Sequence, residues 1–413
     1  MERVPLVLTS KKKLLFLFRI RPGGGTVTRR ALMVTVGIAV IARIIVFVLG
    51  ALDPFTNELG MPVSPLTLQP WIEFEFYLKS LEMYRSLSVD ELVGIFKEFY
   101  QRPAGEQFGH IIGGPVFPFM IAIFDYREGN TLPLAAFYLA LSCLTCMVWQ
   151  IWLSRRGVGL LWLLVFAVLP NPFWFLLNAT TDLPFAFAFA AFYLLFGRSS
   201  RRIFEAVGWV SALIFSLLTR PNGVSLLLFV FLFQLWNSEL GRRRSWLVLG
   251  LLGVSGLLSA LYLYPYFITE LIKVLNFPVF GIQVRDYLQG IYGGLPVGLN
   301  EVLSWLSLVG AKFLYFVGLR PSHSGIEWQW LFLRSGAGLI LLPGLVLILL
   351  RGGRRDGLLA WAFFLPVFLG PTQDRYNLAI QPLLYYYGLL AYAGVVEFLR
   401  TSRWRIRSGR DPQ

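Results

Sequence analysis

Two residue types that build many reactive centres are almost missing. The chain of 413 residues has two Cys and two His. A His-rich metal centre is therefore excluded. Cys143 and Cys146 have C-x-x-C spacing, but they lie inside the apolar run L-A-A-F-Y-L-A-L-S-C-L-T-C-M-V-W. They read as helix-packing residues rather than a redox or metal motif. Charge is scarce as well, at 15% of residues. What fills the chain instead is apolar: 56% of residues are hydrophobic, and the mean hydropathy is +0.64. One soluble core of this length could not hide that much apolar surface, whereas a bilayer can solvate it. The 13 Trp suit a protein that crosses two membrane interfaces. A net charge of +14 raises the question of nucleic acid. The Arg and Lys residues sit in short clusters between apolar runs, as cytoplasmic loops do, so no nucleic-acid partner is expected.

The basic clusters give a topology. Lys11, Lys12, Lys13, Arg19, Arg21, Arg29 and Arg30 precede the first long apolar run, 31–51. The positive-inside rule places the N-terminus in the cytoplasm. A full-length span follows that tail, not the short apolar region of a cleavable signal peptide. Further runs cover 131–153, 160–177, 183–196, 207–218, 224–236, 246–266, 331–350, 358–369 and 378–398. Their Arg clusters fall on one face when the runs alternate. The expectation is an all-α polytopic membrane protein with about ten transmembrane helices, both termini inside. Residues 1–30 and 400–413 form basic cytoplasmic tails around a single domain, 31–399. Residues 52–130 form a long first external loop, and residues 267–330 form a second. Two apolar pieces inside those loops, near Pro118 and over 302–317, read as interfacial or re-entrant segments. Counted as spans, they raise the number to twelve.

Ionisable groups are costly within a membrane, so their positions carry information. Most carboxylates fall in the first external loop. Glu73 and Glu75 lie in Q-P-W-I-E-F-E-F-Y-L-K-S-L-E-M-Y. Either can serve as a general base facing an acceptor hydroxyl, or can be an ordinary solvated charge on an interfacial helix. Asp53 directly follows the first run and competes for the role, although Asp-Pro also makes a routine turn. Arg220 sits in L-L-T-R-P-N-G with Asn222, and Asp374, Arg375 and Tyr376 sit in P-T-Q-D-R-Y-N. A guanidinium at a helix junction can clamp a phosphate, or can snorkel at the interface. Asp182 can contact substrate or support the start of the helix beside it. His110 and His323 are substrate-contact candidates or plain loop residues. Arg43 lies mid-span and must find a partner inside the bundle.

The chain resembles the GT-C superfamily of membrane glycosyltransferases, which use sugars carried on polyprenyl phosphates. W-I-E-F-E-F-Y-L-K-S-L is similar to that family's acidic loop motif. It carries Glu where Asp is usual, and Glu73 matches its spacing best. G-P-V-F-P-F-M-I-A-I-F resembles the following Pro segment. T-R-P-N-G resembles the Arg-Asn-Gly element of GPI second-step mannosyltransferases and their bacterial relatives, and D-R-Y-N-L-A-I-Q-P-L-L resembles the [DE]-R-Y motif that opens a late span in many members. In motif the chain is nearest to the GPI second-step mannosyltransferase-like and protein mannosyltransferase-like families. The resemblance implies a GT-C-like fold and inverting transfer of mannose or a pentose. The donor would be a polyprenyl-phosphate sugar, and the acceptor a hydroxyl on a lipid-linked or protein substrate. Glu73, Glu75 or Asp53 would be catalytic. Arg220, Asn222, Asp374, Arg375, Tyr376, Asp182, His110 and His323 would line the donor site. The scheme demands no metal or other cofactor, although loop carboxylates could hold a divalent ion. The Arg-rich loops suggest a prokaryotic plasma membrane. A transporter or lipid flippase, or a non-catalytic assembly subunit in contact with membrane lipids, is the alternative.

Overall fold

The computed structural model describes residues 27–56, 62–67, 116–177, 179–196, 203–220, 223–237, 293–319, 328–369 and 377–408. The described part is almost wholly helical, with one small antiparallel pairing of β1 (Phe55–Thr56) and β2 (Pro62–Val63). The sequence reason is plain: long runs of Leu, Phe, Val and Ala can satisfy their backbone groups internally only as helix.

Among the described residues, two helices are long and apolar enough to cross a membrane: α1 (Arg29–Leu52) and, after the short α2 (Val116–Ile123), α3 (Leu132–Arg155). Each has 24 residues, about 36 Å at 1.5 Å per residue. That exceeds a hydrocarbon core of roughly 30 Å. Thr28 caps α1 by accepting the Ala31 N–H. Met33, Val34, Ile41, Ile45 and Leu49 are exposed on α1, a surface that suits lipid rather than water.

Residues 160–177, expected as one span, form two eight-residue helices, α4 (Leu160–Ala167) and α5 (Pro170–Leu177). Pro170 lacks the donor that would continue the ladder and disfavours helix in the residue before it. The chain continues through α6 (Asp182–Leu195), α7 (Ile203–Thr219), α8 (Val224–Asn237) and α9 (Val297–Phe316), then α10 (Trp328–Arg351), α11 (Arg354–Leu369) and α12 (Gln381–Ser408). The part of α10 from Gly336 meets α11 at a bend of 115°, and the two together could form a third crossing. The described residues thus carry two or three long apolar helices, alongside shorter apolar ones in the regions of α6, α7 and α8.

Side-chain contacts fix the directions. Arg43 of α1 reaches Ser142 of α3. Phe192 of α6 and Phe196 at its C-cap meet Phe229 and Phe233 of α8 edge to face, so α8 runs parallel to α6. On α11, Asp356 meets Tyr193 near the end of α6 and Phe363 meets Phe185 near its start, so α11 runs antiparallel to α6. Trp149, Trp152, Phe189 and Tyr193 form the aromatic centre between α3 and α6.

The last helices depart from the alternation read in the sequence. Runs 331–350 and 378–398 were expected to point the same way, but α10 and α12 lie antiparallel. Tyr392 donates to the Leu339 carbonyl, Gly388 packs on Ile340, and Gly344 packs on Leu384. Glycine at both 344 and 388 lets the two backbones touch, as small residues do between membrane helices. Trp328 therefore lies at the same end of the pair as the Arg-rich tail. An external 267–330 loop combined with a cytoplasmic C-terminus does not fit that arrangement.

Candidate functional site

Two of the predicted site residues come together. Asp182 is the first residue of α6 and Arg220 directly follows α7, and the Arg220 guanidinium pairs with the Asp182 carboxylate. The positions suit their charges, because a helix N-terminus favours an anion and a C-terminus favours a cation. Both residues are withdrawn from solvent, with 2% of Asp182 and 9% of Arg220 exposed. Neighbours hold the carboxylate further. Thr180 Oγ1 donates to Asp182 Oδ2 at 2.9 Å and accepts the Asp182 N–H at 3.4 Å. Tyr138 of α3 donates to the Thr180 carbonyl at 2.5 Å. The pair thereby ties the α6–α7 hairpin to α3.

The glycine of T-R-P-N-G has a steric reason. The Gly223 N–H bonds to the Arg220 carbonyl at 2.9 Å. A Cβ at Gly223 would stand 2.5 Å from the Ser216 carbonyl oxygen and 2.7 Å from Leu217 Cα. Any side chain there must push the last turn of α7 away, and Arg220 with it.

Of the remaining candidates, only Asp53 lies among the described residues. Asp53 is exposed at the C-cap of α1. Glu73, Glu75, His110, Asn222, His323, Asp374, Arg375 and Tyr376 lie outside the described residues. Asn377, next to Tyr376, is fully buried and donates to the Phe316 carbonyl at 2.5 Å, anchoring the start of α12 to α9. Among the described residues no group of three or more His, Cys, Asp or Glu forms a metal cradle. Of the loop carboxylates considered for a divalent ion, Asp53 is described and exposed, and Glu73 and Glu75 lie outside the described residues.

Two further polar clusters lie among the described residues. The first surrounds Asp356, which is buried where α11 begins. Tyr193 and Tyr387 donate to its two carboxylate oxygens at 2.8 and 3.0 Å. Arg355 stacks over the Tyr193 ring, and Arg156 over Trp152 and Tyr386. Burial alone would lower the Arg156 guanidinium, but Tyr193, Asp356 and Tyr386 outweigh it, so it holds its proton above the ordinary range. The only hint in the sequence was a run of tyrosines, Tyr385 to Tyr387, in an apolar helix.

The second cluster is built on Arg43, of which 2% is exposed. It donates to Ser142 Oγ at 3.0 Å and to the Ala39 and Ala167 carbonyls at 3.0 and 3.1 Å. The Phe173 ring lies 5.0 Å away. Cys143 and Cys146 on the adjacent turn are free thiols, and no disulfide links them. Arg43 borders a cavity of about 30 Å³ shared with Thr145, Trp149, Phe166 and Gln381. No protein-family model, curated protein or solved structure matches this chain.

Proposed function

We propose that the chain is a multi-pass membrane glycosyltransferase of the GT-C kind, moving mannose or a pentose from a polyprenyl-phosphate donor to a hydroxyl acceptor. The observation that carries the reading is the order of its motifs: an acidic loop after the first long apolar helix, a Pro segment, T-R-P-N-G, and D-R-Y-N before the last helix. The reaction takes place on the external face, with both termini in the cytoplasm of a prokaryotic cell. Glu73, or else Glu75 or Asp53, removes the proton of the acceptor hydroxyl. The oxygen attacks the anomeric carbon, the bond to the phosphate breaks, and configuration inverts. Charge grows on the departing phosphate, where a guanidinium stabilises it. Arg220 is already matched by Asp182, so Arg375 takes the larger share of that task.

The test is transfer by purified protein from a panel of polyprenyl-phosphate sugars. Glu73→Gln is expected to abolish transfer while the protein stays folded. Full activity in Glu73→Gln, Glu75→Gln and Asp53→Asn alike removes the mechanism.

A transporter or flippase is the second reading. It is favoured by the 115° break between α10 and α11 and by the buried ionisable groups Arg43, Asp182 and Asp356, features such proteins use at their binding sites. Lipid movement across vesicles without any sugar transfer selects it.

A further inference from the structure

Arg43 lies within α1, the more apolar of the two long helices, and among the described residues no carboxylate stands within ion-pair distance. Its hydrogen bonds go to one hydroxyl and two carbonyls, which orient the guanidinium but leave its charge uncancelled. A cation in that position is costly unless something neutralises it.

The cavity beside it is shaped for an acceptor. A guanidinium has five N–H donors. The Nε–H and the two on Nη1 are used by protein oxygens, and the guanidinium also meets the neutral Cys146 thiol. Gln381, 1% exposed, also lines the cavity, and its Nε2 has no hydrogen-bond partner. Ser142 accepts from Arg43 and so keeps its own O–H to give. Thr145, by contrast, is spent on the Leu141 carbonyl at 2.7 Å. The remaining walls include the Cys146 thiol and the apolar side chains of Trp149, Phe166, Leu183 and Leu378. Donors from α1, α3 and α12 thus surround one small space with one positive charge.

We propose that the Arg43 cavity binds a small monovalent anion of halide size, which is the guanidinium's counter-ion inside the bundle. Size selects the class. Each water needs roughly 10–15 Å³ of such space, so about 30 Å³ admits one halide with at most a water. It does not admit a phosphate carrying a sugar or lipid. Water alone would fill hydrogen bonds without cancelling charge. The anion joins α1 and α3 to the first turn of α12, helices far apart in the chain. This inference needs the helical bundle but not glycosyl transfer.

The experiment is thermal unfolding of the full chain in detergent, in sodium chloride, bromide or gluconate at equal ionic strength. The midpoint is expected to rise with the logarithm of chloride or bromide concentration, and to stay flat in gluconate, which is too large to enter. Arg43→Met is expected to lose the halide response. Gln381→Glu is the second variant, in case the first does not fold. Its carboxylate supplies the countercharge from within, so it should be stable in gluconate and indifferent to halide. Equal midpoints of the wild type in all three salts overturn the proposal. So does a halide response undiminished in Arg43→Met or in Gln381→Glu.

Discussion

Arg220 and Arg43 are both nearly buried arginines in an apolar bundle, and the protein treats them differently. Arg220 sits at the end of a helix, against a carboxylate at the start of the preceding one. Arg43 sits inside a helix, against neutral oxygens and a small cavity. A charge at a helix end can draw on the helix dipole and on a partner from the neighbouring end. A charge inside a helix has neither, because the flanking backbone groups are already bonded to each other. The first arrangement is closed within the protein, and the second calls for something from outside.

The largest expected effect tests that closure. Arg220→Met leaves Asp182 buried and unmatched, a loss of about 3–5 kcal/mol. The double variant with Asp182→Asn should recover much of it. Additive losses in a double-mutant cycle, read by unfolding in detergent, would mean that the two charges do not depend on each other. Asp356 sharpens the contrast, since two phenols serve it at 2.8 and 3.0 Å. Tyr387→Phe should cost about 1.5–3 kcal/mol, the range for a hydrogen bond to a charged group. No change would show that Tyr193 and the nearby arginines suffice. Gly223→Ala forces backbone to move next to Arg220 and should cost about 1–3 kcal/mol. It should cost less in the Asp182→Asn/Arg220→Met background, where no pair is left to disturb. The smallest effect belongs to Asp53, exposed and at a helix end. Asp53→Asn should stay within about 0.5 kcal/mol, whatever it does to transfer.

How much of this was legible in the sequence depended on range. α1 and α3 could be read because a long apolar run with a cap or a Pro near its start needs no distant partner. The break at Pro170 was local too, but it was read past because the run on either side is uniformly apolar. The Asp182–Arg220 contact spans 38 positions, and the reading placed both residues on one face without joining them. The α10–α12 orientation was misread for a physical reason. Loop charge reports which side a loop prefers, whereas Gly344 and Gly388 report how closely two helices can pack. The packing depends on which helix faces which, and one sequence does not say. Arg43 was expected to need a partner. That the partner would be hydroxyl and carbonyl oxygens beside Gln381 depends on residues separated by most of the chain. Glu73, Glu75 and Arg375, which carry the proposed chemistry, rest on motif and loop position alone.

The central claim is that the proposed base and the phosphate-binding arginine share the external face. Single cysteines at Glu73, Arg375, His323 and Arg400, in a Cys143→Ala/Cys146→Ala background, can be labelled with a membrane-impermeant maleimide on intact cells. The account predicts labelling at 73 and 375 from outside, and at 400 only after the membrane is opened. The α10–α12 pairing predicts that 323 behaves as 400 does. Labelling of 73 and 375 from opposite sides, or of 73 and 400 from the same side, would contradict the account.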